Sequence, residues 1–393
     1  MAIQQPGAVG IMPAGALGVA FFYHLNCNSS ARNESVTLLL RRGSQSAAAL
    51  RSSDILRIAH GEESVLHLSV SKVCRPDLLT CAESGWLPEI LLVCTQSDQL
   101  LAVISEYVAL LEKRCASIGL DAALQELPLL VLSSNGIYHQ RVRRYLVEAL
   151  EESMLYGRLP DLWQGAMGRI VGKLLRGVTM QTGRREGAGP EAIYHPGPAG
   201  RTQLAAGDPR HRRRCGEVLQ SLGGSFEIAG EESPTRAEFD KALVNLCGNL
   251  LGLLKAIAPD GQFRPLTVRE IFPEAESPET RELAAHVIAV GRAVQAYRPE
   301  EDFETLYQAA MKIARGPLHH VPSTLRLVEA QLRSSMLEPR LPPTERWLLD
   351  PLTRYAGTAG LEDSERYFRA LIEKLEESLN KAISVSAASS RTA

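Results

Sequence analysis

The stretch Val9–Gly10–Ile11–Met12–Pro13–Ala14–Gly15–Ala16–Leu17–Gly18 decides how the rest of the chain is read. Its first four residues form a short apolar strand, and a helical pattern from Ala16 to Leu25 follows the turn. Strand, glycine turn and helix in that order are the setting in which GxGxxG acts as a dinucleotide fingerprint. The second glycine of that pattern lets a pyrophosphate approach the backbone, and the third lets the helix pack on the strand. Gly15 and Gly18 occupy those two positions. Pro13 stands at the first, where its ring cannot supply a positive φ, and Gly10 lies too early to replace it. On this motif alone, a nucleotide site and a plain strand–turn–helix junction both fit.

Further strands follow. Ser35–Leu40, Ile90–Thr95 and Leu129–Ser133 are continuous apolar runs, the last stopped by Asn135–Gly136. Such runs mean strands buried on both faces. The amphipathic stretch Gln99 to Cys115 separates two of them, so βαβ units and a parallel sheet are expected. The strand after the glycine turn ends in Arg41–Arg42, with no Asp or Glu. An acidic residue there holds the ribose 2′-OH of NAD, whereas an arginine accommodates the 2′-phosphate of NADP. NADP is therefore the expected cofactor, against the plainer reading of two solvated arginines.

Residues 170–232 are rich in Gly, Pro and Thr, and antiparallel strands and turns are expected to close the sheet domain there. From Ser233 the pattern is helical, over 238–257, 279–297, 300–315, 322–337 and 362–384. Pro234 suits a first helical position, and Thr235 with Glu238 fits a capping box. The small, polar tail Ser384 to Ala393 is expected to fray. The fold class is thus an α/β Rossmann-type domain over residues 1–232, followed by an all-α domain over 233–393.

The chain has 393 residues, which allows two or three domains, and 45% hydrophobic residues can build their cores. Lys and Arg number 43 and Asp and Glu 45, a net charge of −2, so neither nucleic acid nor a membrane surface is an expected partner. Seven cysteines, with no CxxC pair, read as reduced thiols of a cytoplasmic protein rather than a disulfide scaffold or zinc site. The apolar run Ala8 to Phe22, with Cys27 after it, imitates a secretion signal, but no Lys or Arg precedes Arg32. His319–His320 lacks neighbouring Asp, Glu or Cys to complete a metal set, and His195 reads as a turn histidine. No P-loop or GxSxG motif supports an NTPase or a hydrolase.

On the helix after Pro234, Lys241, Asn245 and Asn249 are spaced four apart and share one face. Leu243, Val244, Leu246, Leu250 and Leu251 would pack into a core around them. Gly248 and Gly252 border the stripe, and two helix-weakening glycines suggest a close approach. A polar stripe facing solvent is the plainer account. The chemical account is that a lysine ammonium stabilises, and protonates, the oxygen of a ketone under reduction.

Taken together, the motifs resemble the ketopantoate reductase family of NADP-dependent 2-oxoacid reductases, from about Val9 to Glu345. MPAGALG, VTLLLRR, LLVCTQSDQ, LLVLSSNG, GVTMQTG with IYHPGPAGRTQLAAGD, and FDKALVNLCGNLLGLL occur in the family's order. The resemblance implies a Rossmann domain and a helical domain, with the active site between them. It implies Lys241 as general acid, Asn245 and Asn249 as substrate-positioning amides, and Ser323 and Glu345 as further substrate contacts. Pro13, Gly15, Ala16, Leu17, Gly18, Arg41, Arg42, Thr95, Gln96 and Asn135 would hold NADP(H). Gln96 stands where the family carries a lysine, and it can hydrogen-bond but has no charge. The activity implied is NADPH-dependent reduction of a 2-oxoacid such as ketopantoate, a step of pantothenate biosynthesis. The alternatives are another 2-oxoacid or opine-like substrate, or a non-catalytic NADP-binding protein of the same fold. By analogy the protein is a homodimer through its helical domain. Surplus length falls around 139–168, around 258–280 and after Glu345.

Overall fold

The computed structural model describes residues 3–26, 35–61, 64–155, 165–187, 189–230, 233–273, 277–316 and 318–392. Cys27 lies outside the described residues, as does part of the first surplus region, 156–164. The chain divides into two compact units, Met1–Asn135 with His139–Pro234, and Gly136–Tyr138 with Thr235–Ala393.

In the first unit the described strands are β1 (Ile3–Met12), β2 (Val36–Leu39), β3 (Ile55–His60), β4 (Ser64–Ser69), β5 (Cys74–Arg75), β6 (Trp86–Val93), β7 (Leu129–Leu132), β8 (Leu174–Thr179), β9 (Gly183–Glu186), β10 (Ile193–Pro196), β11 (Thr202–Ala205) and β12 (Phe226–Ile228). Eight form a sheet in the order β12-β11-β8-β7-β6-β1-β2-β5. β1 pairs in parallel with β2 on one side and β6 on the other. β7 and β8 continue in parallel beyond β6. The strand order therefore reverses between β1 and β6, and open α/β sheets take ligands outside the carboxyl ends of their strands at such a point. Every residue of β2 and β7 is buried, as continuous apolar runs require.

Residues 170–232 do not simply close this sheet. β8, β11 and β12 extend it, with β11 antiparallel to β8. The β9–β10 hairpin leaves it and joins the β3–β4 hairpin in a second sheet, β4-β3-β10-β9. β10 pairs in parallel with β3, a partner more than 130 residues earlier, which no local pattern announces. The helix Ala16–Asn26 packs against both β9 and β10.

The second unit is helical: Pro234–Asn245, Leu251–Ala256, Val268–Ile271, Pro278–Ala293, Phe303–Ala314, Ser323–Arg333, Pro343–Thr358 and Glu362–Thr392. Two corrections to the sequence reading arise here. The helix starts at Pro234, so Thr235 lies inside its first turn and is not a cap. Glu238 is buried, and its Oε1 accepts from the Tyr138 N–H at 3.2 Å. The tail does not fray at Ser384, because its helix runs to Thr392. Phe368, Leu371, Leu375, Leu379 and Ala382 recur every three or four residues on a buried face and carry that helix into the core. Among the described residues, no helix is long and apolar enough to cross a membrane.

Candidate active site

The glycine turn sits at the carboxyl end of β1, followed by the helix that starts at Ala16. The Met12–Pro13 peptide is cis. A Cβ on Gly18 would lie 2.2 Å from the Pro13 carbonyl oxygen, so here only glycine lets helix and turn approach. A Cβ on Gly15 would meet no atom closer than Pro13 Cγ at 3.8 Å. That side of the turn is open. The first helical bond here runs from the Val19 N–H to the Gly15 carbonyl at 2.8 Å. The N–H groups of the first turn before it have no partner within the helix, which suits an anion. Ala14 is buried and its carbonyl accepts from Tyr194 Oη at 3.3 Å, while Pro13, Ala16 and Leu17 are half-buried.

The loops after β6 and β7 are tied to each other. Ser134 Oγ donates to the Thr95 carbonyl at 2.6 Å, and Ser97 Oγ to the Asn135 carbonyl. Thr95 is buried with its own hydroxyl unpartnered, Gln96 is exposed, and Asn135 is half-buried. Arg176 of β8, with 1% of its surface exposed, donates to the carbonyls of Leu132, Gly177 and Ser134 at 2.8, 2.8 and 3.0 Å. It thereby holds the backbone that leads into Asn135. A lone arginine in an apolar strand did not signal this role in the sequence.

Arg41 and Arg42 are both engaged. Arg41 pairs with Glu106 at 2.9 Å and donates to Gln99 Oε1 at 3.1 Å. Arg42 pairs with Asp77 at 2.9 Å and donates to Thr80 Oγ1 at 3.0 Å, leaving most of its side chain exposed.

In the second unit, the helix bearing the polar stripe is not uniform. A π-helical turn, Leu246–Leu250, separates its two α-helical parts. Such turns are frequent at functional sites, and the wider turn changes the register of Asn249 relative to Asn245. Asn245 is buried with no partner for its Nδ2, while Lys241 and Asn249 are half-buried. The close approach at Gly252 is to Ile271, whose Cδ1 lies 2.6 Å from a built Cβ; Gly248 faces open space instead. The π turn packs against the helices Ser323–Arg333 and Pro343–Thr358.

Those two helices carry the remaining candidates. Ser323 is exposed at the start of its helix, and it is Thr324 that donates to Glu345 Oε1, at 2.6 Å. Glu345 is 1% exposed, and its Oε2 has no partner. Burial raises its carboxyl from the ordinary 4.5 to about 7, against the lowering effect of the Thr324 bond. A carboxyl with a raised pKa keeps its proton in the native state where the unfolded chain has lost it. Its contribution to stability therefore falls as pH rises from about 4.5 to about 7, by on the order of 3 kcal/mol. Relative to the parent, Glu345→Gln should gain stability between pH 5 and pH 8 in denaturant titrations; parallel curves would reject the buried acid. Among the described residues no group of three or more His, Cys, Asp or Glu could hold a metal ion.

The chain matches no protein-family model and no curated protein. Solved structures do match. D-mandelate dehydrogenase, in its ternary structure with NADH and anilino(oxo)acetate, aligns over 95% of this chain and 99% of its own, with a TM-score of 0.62 and 16% identity. A ketopantoate reductase from Ralstonia eutropha JMP134 aligns over the same shares, with a TM-score of 0.58 and 16% identity. The chain has the fold of the ketopantoate reductases. A dimeric ketopantoate reductase from Staphylococcus aureus also shares that fold, over 94% of this chain and 99% of its own, with a TM-score of 0.53 and 16% identity. A match over 95% of the chain takes in most of the helical second unit as well as the sheet.

Proposed function

We propose that the protein reduces the carbonyl of a 2-oxoacid, using NADPH. The observation that carries this reading is the glycine turn at the β1/β6 reversal, with the Gly15 side open and Gly18 closed. These residues fit a dinucleotide, because an open backbone at a helix start is what a pyrophosphate needs. When bound, the nicotinamide supplies the hydride. The turn Pro13–Gly18 would hold the pyrophosphate, Arg41 and Arg42 the 2′-phosphate, and Thr95, Gln96 and Asn135 the nicotinamide end. Lys241 would stabilise the carbonyl oxygen and give it a proton. Asn245 brings a buried amide with an unused donor, and Glu345 a buried carboxyl with an unused oxygen. Both suit a polar substrate, whose binding would satisfy groups otherwise left unpaired. Asn249 and Ser323 would complete the substrate contacts.

Ketopantoate is the first substrate to test. Two observations favour a different 2-oxoacid: Gln96 in place of a lysine, and the likeness to a D-mandelate dehydrogenase, whose name marks a 2-hydroxyacid. A homodimer is proposed from the dimeric neighbour. The test is a fluorescence titration with NADPH, followed by turnover on a panel of 2-oxoacids. Binding with turnover on one panel member is the expected result. No NADPH binding would reject the cofactor assignment, and binding without turnover on the panel would reject the activity. Arg41→Ala should weaken NADPH about tenfold while leaving NADH nearly unchanged; equal losses on both would remove Arg41 from 2′-phosphate recognition.

A further inference from the structure

Arg41 is not a free cation waiting for a phosphate. Glu106 Oε1 accepts from its Nε at 3.0 Å and lies 2.9 Å from its Nη2, and Gln99 Oε1 accepts from Nη1 at 3.1 Å. The Arg41 side chain is only 12% exposed and that of Glu106 31%, so the pair is partly shielded from water. Arg41 follows β2, whereas Glu106 comes from the helix Leu100–Ile118 that follows β6. Sixty-five residues of sequence separate them.

This placement bears on cofactor choice. In a dinucleotide site, an acidic residue past the second strand accepts from the ribose 2′-OH, and an arginine there answers a 2′-phosphate. The second strand of this chain lacks the acid, but the fold delivers one to the same guanidinium from another helix. We infer that Glu106 is a specificity-determining residue: it offers an acceptor to a 2′-OH and opposes a 2′-phosphate at Arg41, so the site takes NADH as well as NADPH. This rests on the dinucleotide reading above. A carboxylate sharing one arginine with a phosphate repels it, and partial burial keeps that repulsion from being fully screened.

The experiment is a pair of binding titrations, NADH and NADPH, followed by the fluorescence of the bound nicotinamide. In the parent protein the two affinities should lie within about tenfold of each other. Glu106→Gln keeps an acceptor for Arg41 but removes the charge, and should raise the NADPH-to-NADH affinity ratio by at least about fivefold. Glu83→Gln serves as the control. It removes the same charge from the same unit at the exposed Lys113 pair, and the ratio should not move. An unchanged ratio in Glu106→Gln, a shift toward NADH, or an equal shift in the control would overturn the assignment. Should Glu106→Gln fail to fold, Arg41→Met leaves the carboxylate without its cation and should move the ratio toward NADH; no movement would overturn it equally. A parent protein that binds neither dinucleotide would instead remove the dinucleotide reading itself.

Discussion

Replacing Lys241 by alanine is expected to lower turnover on a 2-oxoacid by about 10²- to 10⁴-fold, while NADPH affinity stays within about threefold of the parent. The reasoning starts from charge. Hydride addition to a ketone leaves an alkoxide-like oxygen, and an ammonium placed there both stabilises that charge and supplies the proton. Alanine can do neither. Lys241 belongs to the second unit, whereas the glycine turn and the loops after β6 and β7, the groups proposed to hold the dinucleotide, belong to the first. It is half-buried rather than part of the core, so the fold should tolerate the change. Lys241→Arg should not restore turnover, because a guanidinium keeps its charge but does not give up a proton near neutral pH. The measurement is steady-state kinetics beside a binding titration. Equal losses of turnover and affinity would reject the acid role, as would full activity in Lys241→Arg.

The parallel core of the sheet was legible because β2, β6 and β7 are buried on both faces and therefore read as unbroken apolar runs. β3 and β4 are half-exposed, and their alternation is diluted by Arg57, His60 and His67. Their pairing with β10 depends on contacts far apart in sequence, so the second sheet was hidden. The helix Pro343–Thr358 was hidden for another reason. Its start, Pro342–Pro343, and the internal Pro351 read as breakers, although Pro343 occupies a first helical position where proline costs nothing.

Within the candidate site, the i, i+4, i+8 stripe of Lys241, Asn245 and Asn249 was visible, but its π turn was not. An α-helix and a π turn share the same apolar neighbours in sequence. The resemblance points to Ser323 as a substrate contact, whereas the hydroxyl that donates to Glu345 belongs to its neighbour Thr324, and nothing in the sequence separates two adjacent donors. Only burial distinguishes them: Thr324 faces inward and Ser323 outward. The engagement of Arg41 by Glu106 was not legible, since ion pairs across elements leave no spacing to read.

The glycine turn yields the second large effect, through two substitutions that differ by three residues and should fail in different ways. Gly18→Ala places a methyl 2.2 Å from the Pro13 carbonyl oxygen, a backbone atom that cannot swing aside. Either the helix Ala16–Asn26 lifts from β1 or the turn rearranges, and overpacking of this kind costs about 3 kcal/mol. The expected result is a lower denaturant midpoint for the first unit, and nucleotide binding lost along with it. Gly15→Ala places its methyl no closer than 3.8 Å to Pro13 Cγ, an ordinary contact, and Gly15 is not among the glycines with positive φ. Its denaturant midpoint should match the parent. The methyl would nevertheless stand where a pyrophosphate must approach the backbone, so affinity for NADPH should fall by about tenfold or more. Stability separates the two variants, and binding joins them. If Gly15→Ala bound NADPH as the parent does, the open side of the turn would not be the pyrophosphate site. If Gly18→Ala were as stable as the parent, the close approach of Gly18 to Pro13 would not be what fixes the turn.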